Sequence, residues 1–344
     1  MVSTSGGCNW ALEKTDLVRQ VRVSLGSAIA LGLLSGKIDV APTTAYLMTY
    51  TAGKCTANCA FCPQARSSLS SADLLSRVSW PVFPVDSVLY SISDAFDKRR
   101  VKRVCIQALN YPSVFTHLVE LVRAVKGHVD VPVSVSCQPL YSTNLRCLSV
   151  AGVERVGIAL DAVTEELFER VKGSVIGGPY RWNDQFEKLR EAVIVFGRGN
   201  VSTHLIVGLG ETEKEVANAI QLCVDMHVLP ALFAFTPVRG TFLEGMAQPQ
   251  IDSYRRVQLA RYLIVNGIAR LDDLCFDDCG KLVSFGVQKD VLTRIVETGE
   301  PFLTSGCPSC NRPFYNEKPS GPIFNYPRKL RGEEVSVIKQ QLCL

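Results

Sequence analysis

The sequence lacks the features by which partners of nucleic acids, membrane proteins and exported proteins are recognised. Its net charge is only +4, too small to indicate a nucleic-acid or anionic-membrane partner. The apolar stretch 28–34 is far too short to span a bilayer, and residues 1–10 show neither the basic nor the apolar part of a signal peptide. Internal repeats and low-complexity linkers are absent as well. We therefore expect a cytoplasmic protein with no nucleic-acid and no membrane partner.

Cysteine, by contrast, is abundant, at 13 of 344 residues, and clustered cysteines in a reducing compartment indicate metal more than disulfides. Cys55, Cys59 and Cys62 have the spacing C-x3-C-x2-C. One short loop with this spacing can hold three corners of a cubane iron–sulfur cluster. The fourth iron is then open and can bind and activate a small molecule. The competing interpretation is structural zinc, but zinc needs four ligands, usually as two close pairs.

Short β-rich runs alternate with longer amphipathic runs from residue 45 onward. The predicted strands are residues 45–49, 103–108, 133–136, 156–160, 201–207 and 231–235. The predicted helices are residues 85–96, 113–125, 143–151, 165–171, 185–196 and 213–226. Strands joined by helix-length connections pair in parallel through right-handed crossovers. The pattern predicts an α/β fold, a partial or full (β/α) barrel of the TIM type, with the cysteine loop at the strand ends where such barrels carry their chemistry.

Three regions are predicted along the chain. Residues 1–44 form a helical lead-in, because residues 12–34 have helical periodicity and are followed by Gly36 and Pro42. Residues 45–245 form the barrel. Residues 246–344 form an irregular extension with one helix at 254–265 and a stretch rich in proline and glycine at 301–327. This extension caps the barrel with Cys307 and Cys310, a C-x2-C pair whose tight spacing suits chelation.

Other cysteines allow more than one interpretation. Cys105 lies in one predicted strand and Cys137 ends the next, and simple burial explains these two nearly as well as metal ligation does. The C-x2-C pair could be half of a zinc site shared with Cys275 and Cys279, although we favour ordinary turn residues for the latter two. The remaining cysteines show no constellation: Cys8, Cys147, Cys223 and Cys343.

The cysteine loop, with the aromatic Phe61 before its last cysteine, resembles that of the radical S-adenosylmethionine (radical SAM) superfamily. The resemblance implies a 4Fe-4S cluster whose open iron chelates S-adenosylmethionine, and a 5′-deoxyadenosyl radical made by one-electron cleavage of the sulfonium. The segment HLIVGLGET at 204–212 is similar to the fifth-strand segment of biotin synthase and its relatives, which packs against the adenine. It implies cofactor contacts at Ile206, Gly208 and Gly210, and the resemblance of the cysteine loop implies a further one at Phe61. A pair of glycines at a turn is nevertheless more often structural.

The same resemblance implies that two charged residues bind the cofactor. Asp161 falls where the family places a carboxylate on the cofactor ribose, and its alternative role is an N-cap or Asx turn. Arg181 is the candidate partner for the cofactor carboxylate, since a guanidinium matches carboxylate geometry.

The same family implies a role for the two strand cysteines as ligands of an auxiliary cluster. Biotin synthase holds an auxiliary cluster on cysteines of these two strands, which implies that Cys105 and Cys137 are ligands. Its third strand cysteine corresponds to Ser202 here. An auxiliary cluster is therefore either absent or takes other ligands, and Cys307 and Cys310 would complete a set of four.

Over most of residues 20–328 the chain resembles the archaeal two-component lipoyl synthases. The stretches that carry the likeness are YTAGKC at 50–55, VSVSCQPL at 133–140, GGPYRW at 177–182, GRGNVSTH at 197–204 and CPSCNRP at 307–313. The resemblance implies sulfur insertion at an unactivated carbon of a protein-bound octanoyl chain, with the auxiliary cluster as the sulfur source. The implied partners are an octanoylated lipoyl carrier protein, a second radical SAM component and a reductant protein. The alternatives are biotin synthase, another radical SAM mutase or maturase, and a non-catalytic iron–sulfur or zinc carrier.

Overall fold

A computed structural model describes residues 18–344. The strands are β1 Gln20–Val23, β2 Thr44–Thr49, β3 Leu74–Leu75, β4 Val78–Ser79, β5 Val82–Pro84, β6 Arg103–Gln107, β7 Val133–Cys137, β8 Val153–Ile158, β9 Val201–Val207, β10 Leu229–Ala234, β11 Cys275–Phe276 and β12 Leu282–Ser284. The helices are α1 Leu25–Ala30, α2 Val85–Asp97, α3 Val114–His128, α4 Ser142–Ala151, α5 Glu165–Val171, α6 Trp182–Phe196, α7 Glu213–Asp225, α8 Ile251–Val265, α9 Lys289–Thr298 and α10 Gly332–Gln341. None of these helices is long and apolar enough to cross a bilayer.

Eight strands form one sheet in the order β10-β9-β8-β7-β6-β2-β1-β5. The six strands from β2 to β10 in this order pair in parallel, and at least one helix follows each of them before the next. The sheet ends at β10 and at β5, so it is not closed. The fold is therefore α/β with a mostly parallel sheet, consistent with a partial (β/α) barrel. All six predicted strands and the seven predicted helices from residue 85 onward are confirmed, with small shifts at their ends.

The main core lies between the sheet and its helices. Alternate residues of each strand face this core, for example Val104 and Ile106 on β6, and Val133 and Val135 on β7. Because side chains alternate along a strand, the residues between them face the opposite side of the sheet. That opposite side borders two cavities, and most of the candidate cysteines line one or the other of them.

The N-terminal region differs from the continuous helix expected over residues 12–34. Residues 20–30 form β1 and the six-residue α1, while Cys8 and residues 12–17 lie outside the described residues. β1 pairs antiparallel with both β2 and β5, and its residues Val21 and Val23 are fully buried. The helical periodicity is therefore overridden by sheet pairing with strands that are distant in sequence.

The region after residue 245 is more regular than expected, since it contains α8, the hairpin β11–β12, α9 and α10. Its irregular part, residues 303–319, is called the tail here. On one side Ser305 Oγ accepts a hydrogen bond from the backbone N–H of Leu232 in β10, at 2.8 Å. On the other side Asn311 Oδ1 accepts one from the N–H of Thr43, next to β2, at 2.9 Å. The tail therefore connects the edge strand β10 with the segment that leads into β2.

Candidate active site

Cys55, Cys59 and Cys62 lie on the loop that follows β2, at the C-terminal edge of the parallel strands. All three border one cavity of about 220 Å³, called the upper cavity here. Parallel sheets present their loops and ligand sites at this edge. The cysteine loop therefore lies at the C-terminal ends of the strands, as the sequence predicted.

The side chain of Lys54 fixes the backbone of this loop through hydrogen bonds. Its Nζ donates hydrogen bonds to the carbonyl oxygens of Pro63, Ser68 and Ser70, at 2.9, 2.6 and 2.6 Å. A single ammonium group carries three donors, so one side chain ties both ends of the turn together. The three thiols are therefore presented by a fixed backbone.

Burial dominates the chemistry of the three thiols. It raises the pKa of Cys55, raises that of Cys62 to about 12, and raises that of Cys59 well above its ordinary value. The positive charge of Lys172 acts in the opposite direction on the pKa of Cys59. Because a thiol binds metal only after losing its proton, these side chains stay protonated until a metal takes the proton's place.

Asp161 and Lys172 form a buried ion pair at the edge of the upper cavity. Lys172 Nζ lies 2.7 Å from Asp161 Oδ2, with side-chain exposures of 6% and 12%. Lys172 also donates to the carbonyl of Ala159, and its ammonium lies 5.0 Å from the centre of the Tyr180 ring. Asp161 has a left-handed backbone, φ 66°, and does not cap a helix, since Thr164 is the N-cap of α5.

Two more predicted cofactor residues, Phe61 and Ile206, also border the upper cavity. Arg181 does not: it is exposed and precedes α6, while its neighbour Tyr180 borders the cavity instead. Among residues 18–344, Lys172 is the one lysine or arginine that borders this cavity. Cofactor binding by Phe61, Asp161, Arg181 and Ile206 remains a prediction.

Gly208 and Gly210 have positive φ angles, 107° and 119°, and neither borders the upper cavity. A Cβ at Gly208 would lie 2.8 Å from Cδ of Pro249. The carboxylate of Glu211 accepts the backbone N–H groups of Gly208 and Leu209, at 2.5 and 2.9 Å. The close approach that requires glycine at position 208 is therefore to Pro249, within the protein. Cofactor contact by either glycine stays a prediction.

A second group of thiols, Cys105, Cys307 and Cys310, borders a larger cavity of about 460 Å³, called the lower cavity here. Gln107 Nε2 donates to Cys105 Sγ at 3.1 Å, and Ser134 Oγ donates to Cys307 Sγ at 3.5 Å. Burial raises the pKa of Cys105, and the negative charges that Cys307 and Cys310 could carry raise it further. The structure therefore brings together three of the four thiols proposed as an auxiliary set.

The C-x2-C pair forms the tight turn that its spacing predicts. The N–H of Cys310 donates to the carbonyl of Cys307 at 3.0 Å, and Ser309 takes a left-handed φ of 65°. Cys310 Sγ lies 3.1 Å from Tyr46 Oη on β2. Burial raises the pKa of Cys310, while the Arg312 guanidinium opposes this increase.

Cys137 does not join this group. In the β6–β7 register Cys105 is opposite Ser134, and Gln107 is opposite Ser136, so Cys137 belongs to the other face of the sheet. There it is packed in the core with Val133 and Val135. As the last residue of β7 it also borders the upper cavity. Its burial raises its pKa to about 12, with no contribution from another cysteine.

A shared layer separates the two cavities, and residues such as His204, Phe233 and Tyr315 border both. The His204 and Phe233 rings lie 4.7 Å apart, and the Arg312 guanidinium lies 3.7 Å from the centre of the Phe233 ring. Burial lowers the pKa of His204 to about 4, so its imidazole is neutral. The two cavities thus share a wall that includes the His204 and Phe233 rings.

The other described cysteines lie away from both cavities. Cys275 and Cys279 are exposed on the β11–β12 hairpin, where Asp277 Oδ1 accepts the N–H of Cys279 at 3.0 Å, as expected of turn residues. Cys147 and Cys223 are buried, and Cys343 is exposed. Among residues 18–344 no three Cys, His, Asp or Glu side chains converge on a single-ion site. A cubane cluster does not need such convergence, because each thiolate binds a different iron.

Fold and site together define a class of α/β enzymes in which a three-thiol loop lies at the C-terminal edge of a parallel sheet. The chain belongs to the radical SAM superfamily: the family model of that superfamily matches residues 49–223, just over half of the chain. Membership implies a 4Fe-4S cluster and S-adenosylmethionine. The thiols of Cys55, Cys59 and Cys62 fit that cluster in number and in chemistry.

Solved structures resemble the fold at low sequence identity. The FeFe-hydrogenase maturase HydG from Carboxydothermus hydrogenoformans matches with a TM-score of 0.50 at 15% identity, over 64% of this chain and 51% of that one. Methylornithine synthase (PylB) matches with a TM-score of 0.50 at 13% identity, over 70% and 66%. A second HydG structure gives 0.51 at 13%, over 78% and 65%. The chain thus spans about half to two thirds of these proteins, and the likeness is one of fold. No curated protein sequence matches it.

Several residues at the two cavities were not predicted. Lys172 and Tyr180 border the upper cavity, Trp80 and Arg312 border the lower one, and His204 borders both. Arg312 and His204 stand inside stretches that carry the family likeness, which is a usable signal. Lys172 and Trp80 stand alone in the sequence, and only the fold brings them to the site.

Proposed function

We propose that the chain is a sulfur-inserting radical SAM enzyme, one component of a lipoyl synthase that acts on a protein-bound octanoyl chain. One observation carries the proposal: Cys105, Cys307 and Cys310 border a cavity that adjoins the upper cavity across the layer of His204 and Phe233. An enzyme that delivers sulfur from its own store needs a second thiol group.

The chemistry of the donors supports a second iron–sulfur group in the lower cavity. Three thiols from β6 and the tail are soft ligands suited to iron–sulfur groups. When bound, the upper cluster would supply the radical and the lower cluster the sulfur. His204, Phe233 and Tyr315 would stand between the two groups, since these side chains border both cavities.

Cys137 is the weakest member of the proposed ligand set, because it belongs to the opposite face of the sheet. Its exclusion gives a matched pair of variants on adjacent strands. After anaerobic reconstitution we expect about eight irons per chain in the unaltered protein. Cys105→Ala should retain about four irons, since the upper cluster remains. Cys137→Ala should retain about eight, because no second group depends on it.

The assay then turns to the product. Octanoyl-peptide with S-adenosylmethionine, a low-potential reductant and the second component should give thiolated peptide with the unaltered protein and with Cys137→Ala, but not with Cys105→Ala. Dethiobiotin in place of the peptide tests the biotin synthase alternative. If the unaltered protein holds only about four irons, sulfur insertion is refuted in favour of a mutase or maturase. Zinc in place of iron would instead favour a carrier protein.

A further inference from the structure

Three large apolar side chains are exposed on segments next to the cysteine loop. Leu69 follows the three cysteines between β2 and β3, Val175 lies between α5 and α6, and Phe242 lies between β10 and α8. These side chains are 93%, 72% and 76% exposed. Single exposed apolar residues are ordinary, whereas several around one feature indicate a surface that another molecule covers.

Backbone hydrogen bonds bring two of the three segments together at the cysteine loop. The N–H of Leu69 donates to the carbonyl of Gly240 at 2.8 Å, two residues before Phe242. The N–H of Leu243 donates to the carbonyl of Ala60 at 3.2 Å. Ala60 stands between the second and third cysteines of the loop. The segment of Phe242 is therefore bonded directly to the part of the chain that presents the thiols.

The segment of Val175 is joined to the same loop. Asn58 Nδ2 donates to the carbonyl of Ile176 at 2.7 Å, and Asn58 directly precedes the second cysteine. Arg66 Nη2 donates to the carbonyl of Gly177, also at 2.7 Å. All three exposed apolar side chains thus lie on segments that are hydrogen-bonded to the loop of the three thiols or belong to it.

Two exposed arginines, Arg66 and Arg239, accompany the apolar side chains. Neither forms an ion pair with a carboxylate of residues 18–344. The nearby carboxylate of Glu244 accepts the N–H of Gly240 at 2.6 Å. The two arginines therefore leave a positive excess beside the apolar groups, and such a surface complements an acidic partner.

The name rim patch is used here for Arg66, Leu69, Val175, Arg239 and Phe242. None of these five residues borders the upper or the lower cavity. A substrate group has to enter the upper cavity, beside the thiols. An electron does not, because it can reach the cluster through the loop that holds it. The position of the patch therefore favours a partner that delivers an electron over a partner that delivers a substrate.

We propose that the rim patch is the docking surface of an acidic one-electron carrier protein. On contact the carrier loses one electron and the 4Fe-4S cluster of Cys55, Cys59 and Cys62 gains it, and no proton or other group is transferred. Electron-transfer encounters bury little area, which suits a patch of this size. The inference depends on membership of the radical SAM superfamily and goes beyond sulfur insertion, on which it does not rest.

The test uses the full reconstituted chain with an acidic ferredoxin, a low-potential one-electron protein, as the probe. Calorimetry at low salt measures the binding of oxidised ferredoxin. Electron delivery is measured as the rate at which 5′-deoxyadenosine forms from S-adenosylmethionine at limiting reduced ferredoxin. Dithionite in place of ferredoxin supplies electrons without protein docking, so it separates docking from all later steps.

Arg239→Glu should lower the ferredoxin-driven rate about tenfold at low ionic strength, because it reverses a charge that steers an acidic partner, and the loss should shrink at high salt. Phe242→Ser should weaken ferredoxin binding about fivefold through lost apolar contact. Both should leave the dithionite-driven rate unchanged. The matched controls are Arg198→Glu, exposed after α6, and Ile194→Ser, 81% exposed on α6. They should leave the binding and both rates unchanged.

Equal effects of the patch variants and their controls on ferredoxin binding overturn the inference. An equal loss of rate with ferredoxin and with dithionite also overturns it, since the patch would then act on the cluster loop itself. Patch variants that keep the ferredoxin-driven rate but no longer bind octanoylated carrier protein would assign the patch to the substrate protein instead. Ferredoxin-driven 5′-deoxyadenosine formation that depends on the rim patch, without thiolated peptide, supports this inference and refutes the proposed function.

Discussion

Removal of the Lys172 ammonium should destabilise the metal-free protein strongly, and the size of the effect follows from the geometry. Lys172 Nζ and Asp161 Oδ2 are 2.7 Å apart with side chains only 6% and 12% exposed. Breaking a buried pair from one side leaves an uncompensated charge, which costs about 3–5 kcal/mol. We therefore expect Lys172→Met to lower the free energy of unfolding by about this amount.

A double-mutant cycle separates the lost pair from lost packing. Asp161→Asn removes the stranded charge, and asparagine tolerates the left-handed backbone at this position, φ 66°. In that background Lys172→Met should cost less by about 2 kcal/mol, within the range measured for coupled residues.

The assay is urea unfolding of the reduced, metal-free chain. Its control is the exposed pair Arg270–Asp225, with side-chain exposures of 64% and 48%. Arg270→Met should cost less than about 1 kcal/mol, because surface pairs contribute little. If Lys172→Met costs no more than that control, or costs the same with and without the Asp161 carboxylate, the buried-pair argument is wrong.

Two further outcomes are expected. His204 has a pKa of about 4 in the folded chain against an ordinary value of 6.5, so the unfolded chain binds the extra proton between these values. The stability it contributes is complete above about pH 6.5 and is lost as the pH falls toward 4, by up to about 3 kcal/mol; in urea titrations His204→Phe should flatten this loss, and an unchanged profile would contradict it. Gly178→Ala would place a Cβ 1.8 Å from the carbonyl oxygen of Lys172 and should destabilise by more than about 2 kcal/mol. The matched change Gly127→Ala, inside α3 with no atom within 4 Å of the new Cβ, should stabilise by about 0.5–1 kcal/mol; equal effects at the two sites would refute the steric argument.

The sequence was informative wherever a signal is local. The six parallel strands and the helices between them follow from alternation, periodicity and length, and the cysteine loop after β2 follows from spacing alone. β1 was missed because its four residues gain their stability from pairing with β2 and β5, which are distant in sequence. No short window contains that information.

The sequence does not show either which face of the sheet a strand residue belongs to. Cys105 and Cys137 both lie on strands next to each other, yet they belong to opposite faces, because the pairing sets Cys105 against Ser134 and thus Cys137 one position out of phase. A one-residue change of register exchanges the two faces, so spacing within each strand cannot decide the matter. Lys172 shows the same limit, since only the turn after α5 brings it to Asp161.

The hydrogen bond between Thr43 and Asn311 joins residues 268 positions apart. This separation has a consequence for the order in which the sites can form during synthesis. Chains emerge from the ribosome N-terminus first. The upper thiols and Lys172 are therefore available while more than a hundred residues are still to be made. Cys105, by contrast, must wait for the tail before it meets Cys307 and Cys310. The order of synthesis thus separates in time two thiol groups that line neighbouring cavities in the finished fold, and a chain that ends before the tail lacks two of the three lower thiols.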